Sequence, residues 1–303
     1  MDRIEAMKIF IAALDEGSLA GASRVTGRSA AAVSRAIAAL EAHVGVPLLH
    51  RTTRSNRLSE AGERYAAACR RVLAELEEAD RQVAGERSVP RGTLTITSTV
   101  FAGAEVLRPI ADAFMDAHPE VAIRLHLLER AVNLVDEGMD LALRISQLAD
   151  SSLVALPIGE VRRIVIASPA YLDAHDPIEE IADLAKHAII TTPHTGLDSW
   201  SFPPAEVSSF PRAVTFAPRL VVNNVRAVIT SVVEGHGVSR LLSYHVAPEI
   251  AQGALRIVLP NVEPRHVPVH LVAPYGRLSV PKVRAFVDFA TPRLRAAFTE
   301  LAQ

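Results

Sequence analysis

The residues best suited to bind a partner are six arginines between positions 24 and 57, with short polar side chains among them. The arginines are Arg24, Arg28, Arg35, Arg51, Arg54 and Arg57. The only acid in this stretch is Glu41, so its charge is +5. Residues 61–303 hold 24 Lys and Arg against 28 Asp and Glu, a charge of −4. A basic segment on an acidic body predicts a phosphate-rich partner for the N-terminal part alone.

Apolar spacing and capping signals predict three helices around these residues. The first covers residues 2–16, is closed by Gly17, and has four apolar residues at helical spacing: Met7, Phe10, Ile11 and Leu14. Ser18 can cap a second helix over residues 19–25, and Ser29 a third that ends near His43. Gly27 can take the left-handed conformation that a tight turn between them requires. The residues of the third helix expected to be buried are Val33, Ile37, Leu40 and Val44.

The outward face of the third helix predicts contact with double-stranded DNA. Small side chains let a helix backbone approach the base edges in the major groove, and Ser34 and Arg35 supply donors. Free N–H groups at the helix start favour a phosphate. Residues 48–51 and 57–58 are predicted to pair as strands around a tip at 52–56, whose arginines suit phosphates or a narrow minor groove. The predicted DNA-binding residues are Arg28, Ser29, Ala30, Ala31, Ser34, Arg35, Arg51, Thr53 and Arg54.

The same segment resembles the DNA-binding domain of the LysR-type transcriptional regulators. The matching residues, in order, are Phe10, Gly17-Ser18-Leu19, Ala22, Ser29, Ala32-Val33-Ser34-Arg35, Ile37, Leu40-Glu41, Gly45, Pro47-Leu48-Leu49, Arg51, Arg54, Leu58 and Ala61-Gly62. The resemblance implies a winged helix-turn-helix that binds an inverted-repeat operator. Ala30 departs from the family, which often has glutamine there, so base recognition is expected to depend on Ser34, Arg35 and DNA shape. The helices alone would also allow a small bundle with a solvated arginine face.

A stripe of mostly apolar residues in the next segment predicts a dimerisation helix. Its members recur at intervals of four and three residues: Tyr65, Cys69, Val72, Leu76, Ala79 and Val83. Twofold-related half-sites in DNA favour pairing of two copies through this helix. The alternative is a single helix that packs on its own domain. The predicted boundaries are 1–60 for the DNA-binding domain, 61–87 for the linker helix and 88–92 for a hinge.

From residue 93 onward, alternating strand and helix patterns predict an α/β region with mainly parallel sheets. Helices are expected over residues 104–117, 132–137 and near 178–184. The region resembles the effector-binding domain of LysR-type regulators, which implies two Rossmann-like subdomains of the type 2 periplasmic-binding-protein kind. Subdomain 1 would comprise residues 93–160 and 268–303, and subdomain 2 residues 161–267. The fold class is thus an all-α winged helix-turn-helix with a long linker helix, followed by an α/β effector domain.

Hydroxyl, amide and arginine side chains at strand ends and helix starts are the candidate effector site, because such ends meet in the cleft of an α/β domain. The predicted effector-binding residues are Ser98, Thr99, Arg144, Ser146, Thr191, Thr192 and Asn224. Family effectors are typically small metabolites, often carboxylates or aromatic acids, and this set suits an anion. The alternative for each residue is a cap or loop side chain that satisfies backbone groups.

Catalytic and metal-binding patterns are not evident. His266 and His270 flank Pro268 in an extended region, and Cys69 is the single cysteine, so neither predicts a metal site or disulfide. No enzyme activity, cofactor or metal is expected. Expected partners are an operator DNA, a second copy in a dimer or tetramer, a small-molecule effector and RNA polymerase, with no membrane. Without a long apolar run or signal-peptide pattern, a cytoplasmic location is expected. The alternatives are a small-molecule binding protein or an α/β enzyme with an accessory basic module.

Overall fold

The computed structural model describes residues 2–51, 56–83, 89–148, 153–193, 196–204 and 212–301. The chain forms two compact units, Met1–Val89 with Val135–Gly138, and Pro90–Leu134 with Met139–Gln303. In these described ranges, no helix is both long enough and apolar enough to cross a membrane.

The first unit is a three-helix cluster followed by a short hairpin and a long helix. Its elements are α1 (Arg3–Asp15), α2 (Leu19–Thr26), α3 (Ala30–Val44), β1 (Leu49–Arg51), β2 (Asn56–Leu58) and α4 (Glu60–Val83). Ser18 and Ser29 cap α2 and α3, accepting hydrogen bonds from the N–H groups of Gly21 at 3.0 Å and Ala32 at 3.3 Å. Gly27 lies in the left-handed region at φ 65°, as the predicted turn requires.

The core of the first unit is formed by the inner faces of the helices. Phe10 and Val33 are 0% exposed, and Ile37 and Leu40 are also buried. The predicted burial of Val44 is wrong, because the last turn of α3 extends beyond this core and leaves Val44 36% exposed. Ala36, which is fully buried, is part of the inner face of α3 instead.

The first half of α4 packs on its own unit. Cys69 is 1% exposed and belongs to the same core as Phe10 and Leu73, and Tyr65 packs against that core. This corrects the assignment of Cys69 to a dimer contact, because its side chain already fills an intramolecular site. Val72 is 45% exposed, and the side chains of Ala79 and Val83 lie outside the described set.

In its described ranges, the second unit contains two sheets and two strand pairs, with helices packed on them. Its strands are β3 (Gly92–Ser98), β4 (Val121–Leu127), β5 (Leu141–Ile145), β6 (Leu153–Val161), β7 (Arg163–Ala167), β8 (Ile189–Thr191), β9 (Ser199–Phe202), β10 (Arg212–Thr215), β11 (Pro218–Val221), β12 (Ser239–Leu242), β13 (Arg256–Val258) and β14 (Val267–Pro274). Its α-helices are α5 (Val100–Ala102), α6 (Arg108–Ala117), α7 (Pro169–Ala174), α8 (Val225–Val233), α9 (Ser243–Ala251) and α10 (Pro281–Leu301). A π-helical turn, Gly103–Leu107, joins α5 to α6. Short 3₁₀ helices cover Ile181–Lys186, Pro260–Val262 and Arg277–Ser279.

The sheets are mixed, so the expectation of mainly parallel sheets is wrong. The five-stranded sheet has the order β4-β3-β5-β14-β6, with β3 parallel to β4 and β5 and β14 antiparallel to β5 and β6. The three-stranded sheet β12-β7-β13 is antiparallel, and β8 pairs with β11 in parallel. In the five-stranded sheet, the antiparallel pairs arise because β14 returns from late in the chain and enters between β5 and β6.

Two predicted helices are also corrected. The segment predicted as a helix over 132–137 contains turns instead, closed by a hydrogen bond of 2.8 Å from the Met139 N–H to the Leu134 carbonyl. The helix expected near 178–184 is a 3₁₀ helix over Ile181–Lys186, and at its start the Glu180 N–H donates to the Asp183 carboxylate at 3.0 Å. The helix expected at 104–117 is part of the helical run from α5 to α6.

The larger core of the second unit packs helices on the five-stranded sheet. Leu94 and Ile96 of β3 are fully buried there, together with Phe114 and Phe286, whose ring centroids lie 5.1 Å apart. A second cluster, centred on Trp200, lies against the other face of the three-stranded sheet. The strand ends β3 and β5 are therefore held on a rigid base, which positions the residues that follow them.

Candidate nucleic-acid interface and effector site

The start of α3 presents the surface predicted to enter DNA. Ser29, Ala30, Ala31 and Arg35 are exposed, and Ser34 is half-buried. Because the opposite face of α3 is locked into the core, these side chains are held on one rigid face. Because the alanine side chains around Arg35 are short, the backbone of α3 can approach the base edges closely, while the long arginine side chain donates hydrogen bonds to them.

Arg28 is anchored at the approach to α3 from two sides. Its guanidinium donates a hydrogen bond to the carboxylate of Glu5 on α1, and both side chains are partly exposed, 56% and 38%. Its carbonyl accepts a hydrogen bond of 2.5 Å from the Ser23 hydroxyl on α2. A cation that is predicted to bind phosphate is therefore paired with a carboxylate in the free protein.

The hairpin after α3 has the strand pairing expected of a wing. β1 and β2 are antiparallel, with Leu49 opposite Leu58 and Arg51 opposite Asn56. The side chain of Arg51 and the whole of Thr53 and Arg54 lie outside the described residues. Their predicted DNA contacts stay predictions.

Ser98 and Thr99 lie where β3 ends and α5 begins. Ser98 is 0% exposed, and Thr99 is the residue before α5 but makes no side-chain cap. The Ser98 hydroxyl is buried without a hydrogen-bond partner, whereas the Thr99 hydroxyl interacts with the phenol of Tyr244. Buried hydroxyls are normally paired with protein, water or a ligand, so the hydroxyl of Ser98 is available to bind one.

The first backbone N–H of α5 is already used by the protein. Val100 N–H donates to the carboxylate of Glu129 at 3.0 Å. An anionic effector would have to compete with this carboxylate for the donor, which weakens the sequence-based expectation of an anion at this position.

The other predicted effector residues fall into two groups. Arg144 is the penultimate residue of β5 and Ser146 follows this strand. Because β5 is parallel to β3, both residues lie at the end of the sheet where Ser98 lies. Arg144 donates to the Val132 carbonyl at 3.1 Å, and Ser146 is exposed. Thr191, Thr192 and Asn224 lie at the corresponding end of the β8–β11 pair.

In the second group, hydrogen bonds support local roles for two residues. Thr191 is fully buried, and its hydroxyl donates to the Gly196 carbonyl at 2.9 Å. Asn224 is exposed and accepts from the Ala227 N–H at 3.1 Å, which caps α8. The cap explains Asn224 without an effector.

Three residues that sequence reasoning missed stand next to Thr99. The ring of Phe101 lies 4.8 Å from the ring of His245 and 5.7 Å from that of Tyr244, measured between centroids. Tyr244 and His245 lie in the first turn of α9, which begins directly after β12. The sequence signal that could have identified Tyr244 and His245 is a strand end followed by a helix start, because ligands often bind at such positions. No group of three or more metal-binding side chains occurs within the described ranges.

His245 is expected to make the second unit less stable in acid. Burial, and next the nearby charge of Arg226, lower the pKa of His245 from 6.5 to about 3. The unfolded chain then binds the proton more readily, so stability is complete above about pH 6.5 and falls as the pH drops towards 3. At pH 5 the loss is about 2 kcal/mol.

Urea unfolding followed by fluorescence of Trp200, the single tryptophan, measures this loss at pH 7 and pH 5. His245→Gln should lose about 2 kcal/mol less between these pH values than the unmodified chain. The matched control is His236→Gln, because the side chain of His236 is 65% exposed. An unchanged pH dependence in His245→Gln would show that this residue is not buried as a neutral imidazole.

Comparison with known proteins assigns the chain to a family. Residues 4–63 match the bacterial regulatory helix-turn-helix proteins of the lysR family, and residues 87–295 match the LysR substrate binding domain. The chain belongs to the LysR family of transcriptional regulators. The regulator therefore combines a DNA-binding domain with an effector-binding domain, as expected from its residues.

Relatives of the regulator are similar over nearly the whole chain. An HTH-type transcriptional regulator of Xanthomonas campestris pv. campestris is 34% identical over 292 residues, covering 94% of this chain and 84% of the relative. PtxR of Pseudomonas aeruginosa is 31% identical over 299 residues, covering 97% and 94%. These relatives are transcriptional regulators and not enzymes, which confirms the expectation for this chain.

Solved structures show the same architecture. CrgA of Neisseria meningitidis, a LysR-type transcriptional regulator, is 28% identical with a TM-score of 0.62, over 96% of this chain and 98% of CrgA. The virulence activator AphB of Vibrio cholerae is 26% identical with a TM-score of 0.60, over 96% and 98%. The winged helix-turn-helix followed by an α/β effector domain is thus confirmed as the fold of the regulator.

Proposed function

We propose that this LysR-family regulator binds an inverted-repeat operator with α3 and the β1–β2 wing, and responds to a small molecule at the ends of β3 and β5. The observation that supports DNA binding by α3 is its rigid, exposed face, on which Arg35 lies among alanines. In this proposal the domains have the boundaries predicted above: 1–60, 61–87, 88–92 and 93–303, the last divided into 93–160 with 268–303 and 161–267. The bacterial chromosome as partner implies a cytoplasmic location.

Two copies are proposed to pair through the outer part of α4. Val72 is 45% exposed and Leu76 is half-buried on this helix, so apolar surface remains beyond the core contact of Cys69. A dimer or tetramer would place two α3 helices on related half-sites. The effector must then bind two arrangements of the oligomer with different affinity, which changes operator affinity or contact with RNA polymerase.

Fluorescence anisotropy of labelled DNA tests this function. The full-length regulator is titrated with the duplex from its own upstream intergenic region and with a scrambled duplex, over a series of salt concentrations. We expect the upstream duplex to be preferred at physiological salt, because base contacts persist where phosphate contacts are screened. Binding to neither duplex would argue against a DNA-binding regulator and favour a small-molecule binding protein.

Glu5→Gln is expected to strengthen DNA binding about two- to fivefold, because an exposed ion pair contributes about 0.2–1 kcal/mol and phosphate must replace it. Arg28 then reaches phosphate without first leaving a carboxylate. Anisotropy at several salt concentrations measures the change, and Asp112→Asn is the matched control because Asp112 pairs with Arg108 in the second unit. Weaker binding by Glu5→Gln would mean that Glu5 orients Arg28 for DNA instead of competing for it.

A further inference from the structure

Unpartnered buried polar atoms are concentrated around Phe101. Among the described side chains, buried atoms without a hydrogen-bond partner include Ser98 Oγ, His245 Nδ1 and Glu249 Oε2. Ser98 is 0% exposed and His245 8%. Native proteins leave few such atoms unpaired, and exceptions often mark a bound water, ion or ligand. Three of them near one aromatic ring indicate a binding site.

Contacts join these atoms into one neighbourhood. Phe101 follows Thr99 by two residues, and its ring centroid is 4.8 Å from that of His245. Glu249 comes four residues after His245 in α9, so both lie on one face of that helix. Arg226 lies 4.8 Å above the ring of Phe101 and pairs with Glu249 at 3.2 Å.

The charges of this neighbourhood are mainly negative. Arg226 is shared by two carboxylates, Glu249 at 3.2 Å and Glu105 at 3.1 Å. Glu129 adds a third carboxylate, on the Val100 N–H. The guanidinium of Arg144, the cation near the end of β5, already donates to the Val132 carbonyl. The atoms left without partners include Glu249 Oε2, which as part of a carboxylate can only accept a hydrogen bond.

We propose that this neighbourhood binds the effector through an amine head group, with an apolar or aromatic body against Phe101 and Tyr244. An ammonium group carries only donors, which match the unpaired acceptor Glu249 Oε2 and the hydroxyl of Ser98. A carboxylate would meet three like charges and find the Val100 N–H occupied. The inference rests on the proposed function, because it names the class of small molecule to which the effector domain responds.

Isothermal titration of the full-length protein with matched ligands tests the proposal. Phenethylamine and hydrocinnamate share an aromatic body and differ in the sign of the head group, and pentylamine and hexanoate form an aliphatic pair. We expect each amine to bind about tenfold or more tightly than its carboxylate, as charge-assisted hydrogen bonds require. Equal or stronger binding of the carboxylates, or binding of neither class, would overturn the proposal.

Variants separate a ligand site from a structural cluster. Glu249→Gln should weaken phenethylamine about tenfold and leave hydrocinnamate as tight or tighter. Ser98→Ala, a smaller change, should also weaken the amine and provides a second test if Glu249→Gln does not fold. Glu234→Gln is the matched control, because this acid lies at the exposed end of α8, with a side chain 60% exposed. An unaltered amine affinity in folded Glu249→Gln and Ser98→Ala would overturn the site.

Operator binding by the same protein, measured by anisotropy without ligand, distinguishes failure of the amine site from failure of the proposed function. Operator binding together with a preference for carboxylates refutes the amine site but is consistent with the proposed function as a DNA-binding regulator. Selective amine binding without preference for any DNA supports the amine site and refutes the proposed function.

Discussion

Gly62→Ala is expected to destabilise the DNA-binding unit by about 3 kcal/mol, because overpacking against rigid backbone costs about 1–3 kcal/mol or more. A Cβ atom at Gly62 would lie 2.0 Å from the Leu48 carbonyl oxygen, and this backbone atom cannot move aside as a flexible side chain could. The same carbonyl accepts a hydrogen bond of 3.0 Å from the Ser59 N–H, and the Ser59 hydroxyl donates to the Pro47 carbonyl at 2.7 Å. The start of α4 is thus pressed against the start of the wing.

Hydrogen exchange of peptides from α1, α2 and α3 measures the stability of this unit within the full-length chain. Gly45→Ala is the matched control, because a Cβ there meets nothing within 4 Å and only the φ of +77° opposes it. That strain costs about 1 kcal/mol. Protection that falls no further in Gly62→Ala than in Gly45→Ala would show that α4 can move away from Leu48 without loss.

The helix-turn-helix could be predicted closely because its signals are local. Ser18 and Ser29 act on N–H groups three residues away, and Gly27 fixes the turn by its own φ angle. Each signal determines a boundary without help from distant residues. The burial of Val44 could not be predicted in this way, because it depends on where the neighbouring helices end.

The pairing of the effector-domain strands could not be predicted, because it is decided over long distances in sequence. The alternating pattern predicts strands and helices in this region, but the direction and place of β14 depend on contacts between segments more than 120 residues apart. β6 has a partly polar pattern of exposed and buried residues, which does not by itself predict a strand. Its role as the edge of the five-stranded sheet is evident only from its pairing with β14.

Only part of the candidate effector site could be predicted from the sequence. Ser98 and Thr99 were predicted because they follow a recognisable strand and precede a helix. His245 and Glu249 were not, since α9 brings them to Phe101 from almost 150 residues later in the chain. Asn224 shows the opposite case, because the same strand-to-helix rule selected a residue whose oxygen caps α8.

Arg35→Ala is expected to weaken operator binding about 10- to 100-fold and to relax discrimination against altered operators, because a good base contact contributes about 1–3 kcal/mol. Arg35 is exposed on α3, one turn from the capped helix start and next to Ser34. The loss of the family's usual glutamine at Ala30 leaves Arg35 as the long donor among the described residues of this face. Its loss should therefore reduce specific binding more than binding to random DNA.

The measurement compares operator and scrambled duplex by anisotropy at several salt concentrations, for Arg35→Ala and for a control. Arg64→Ala is the matched control, because it also removes one positive charge from the first unit but from α4, where Arg64 pairs with Glu60 at 2.6 Å. A contact to a base lowers the ratio of operator to scrambled affinity, whereas a contact to phosphate lowers both affinities alike and reduces the salt slope by about 1. An unchanged ratio with a lower salt slope would move Arg35 from base recognition to phosphate binding, and sequence preference would then depend on Ser34 and the shape of the DNA.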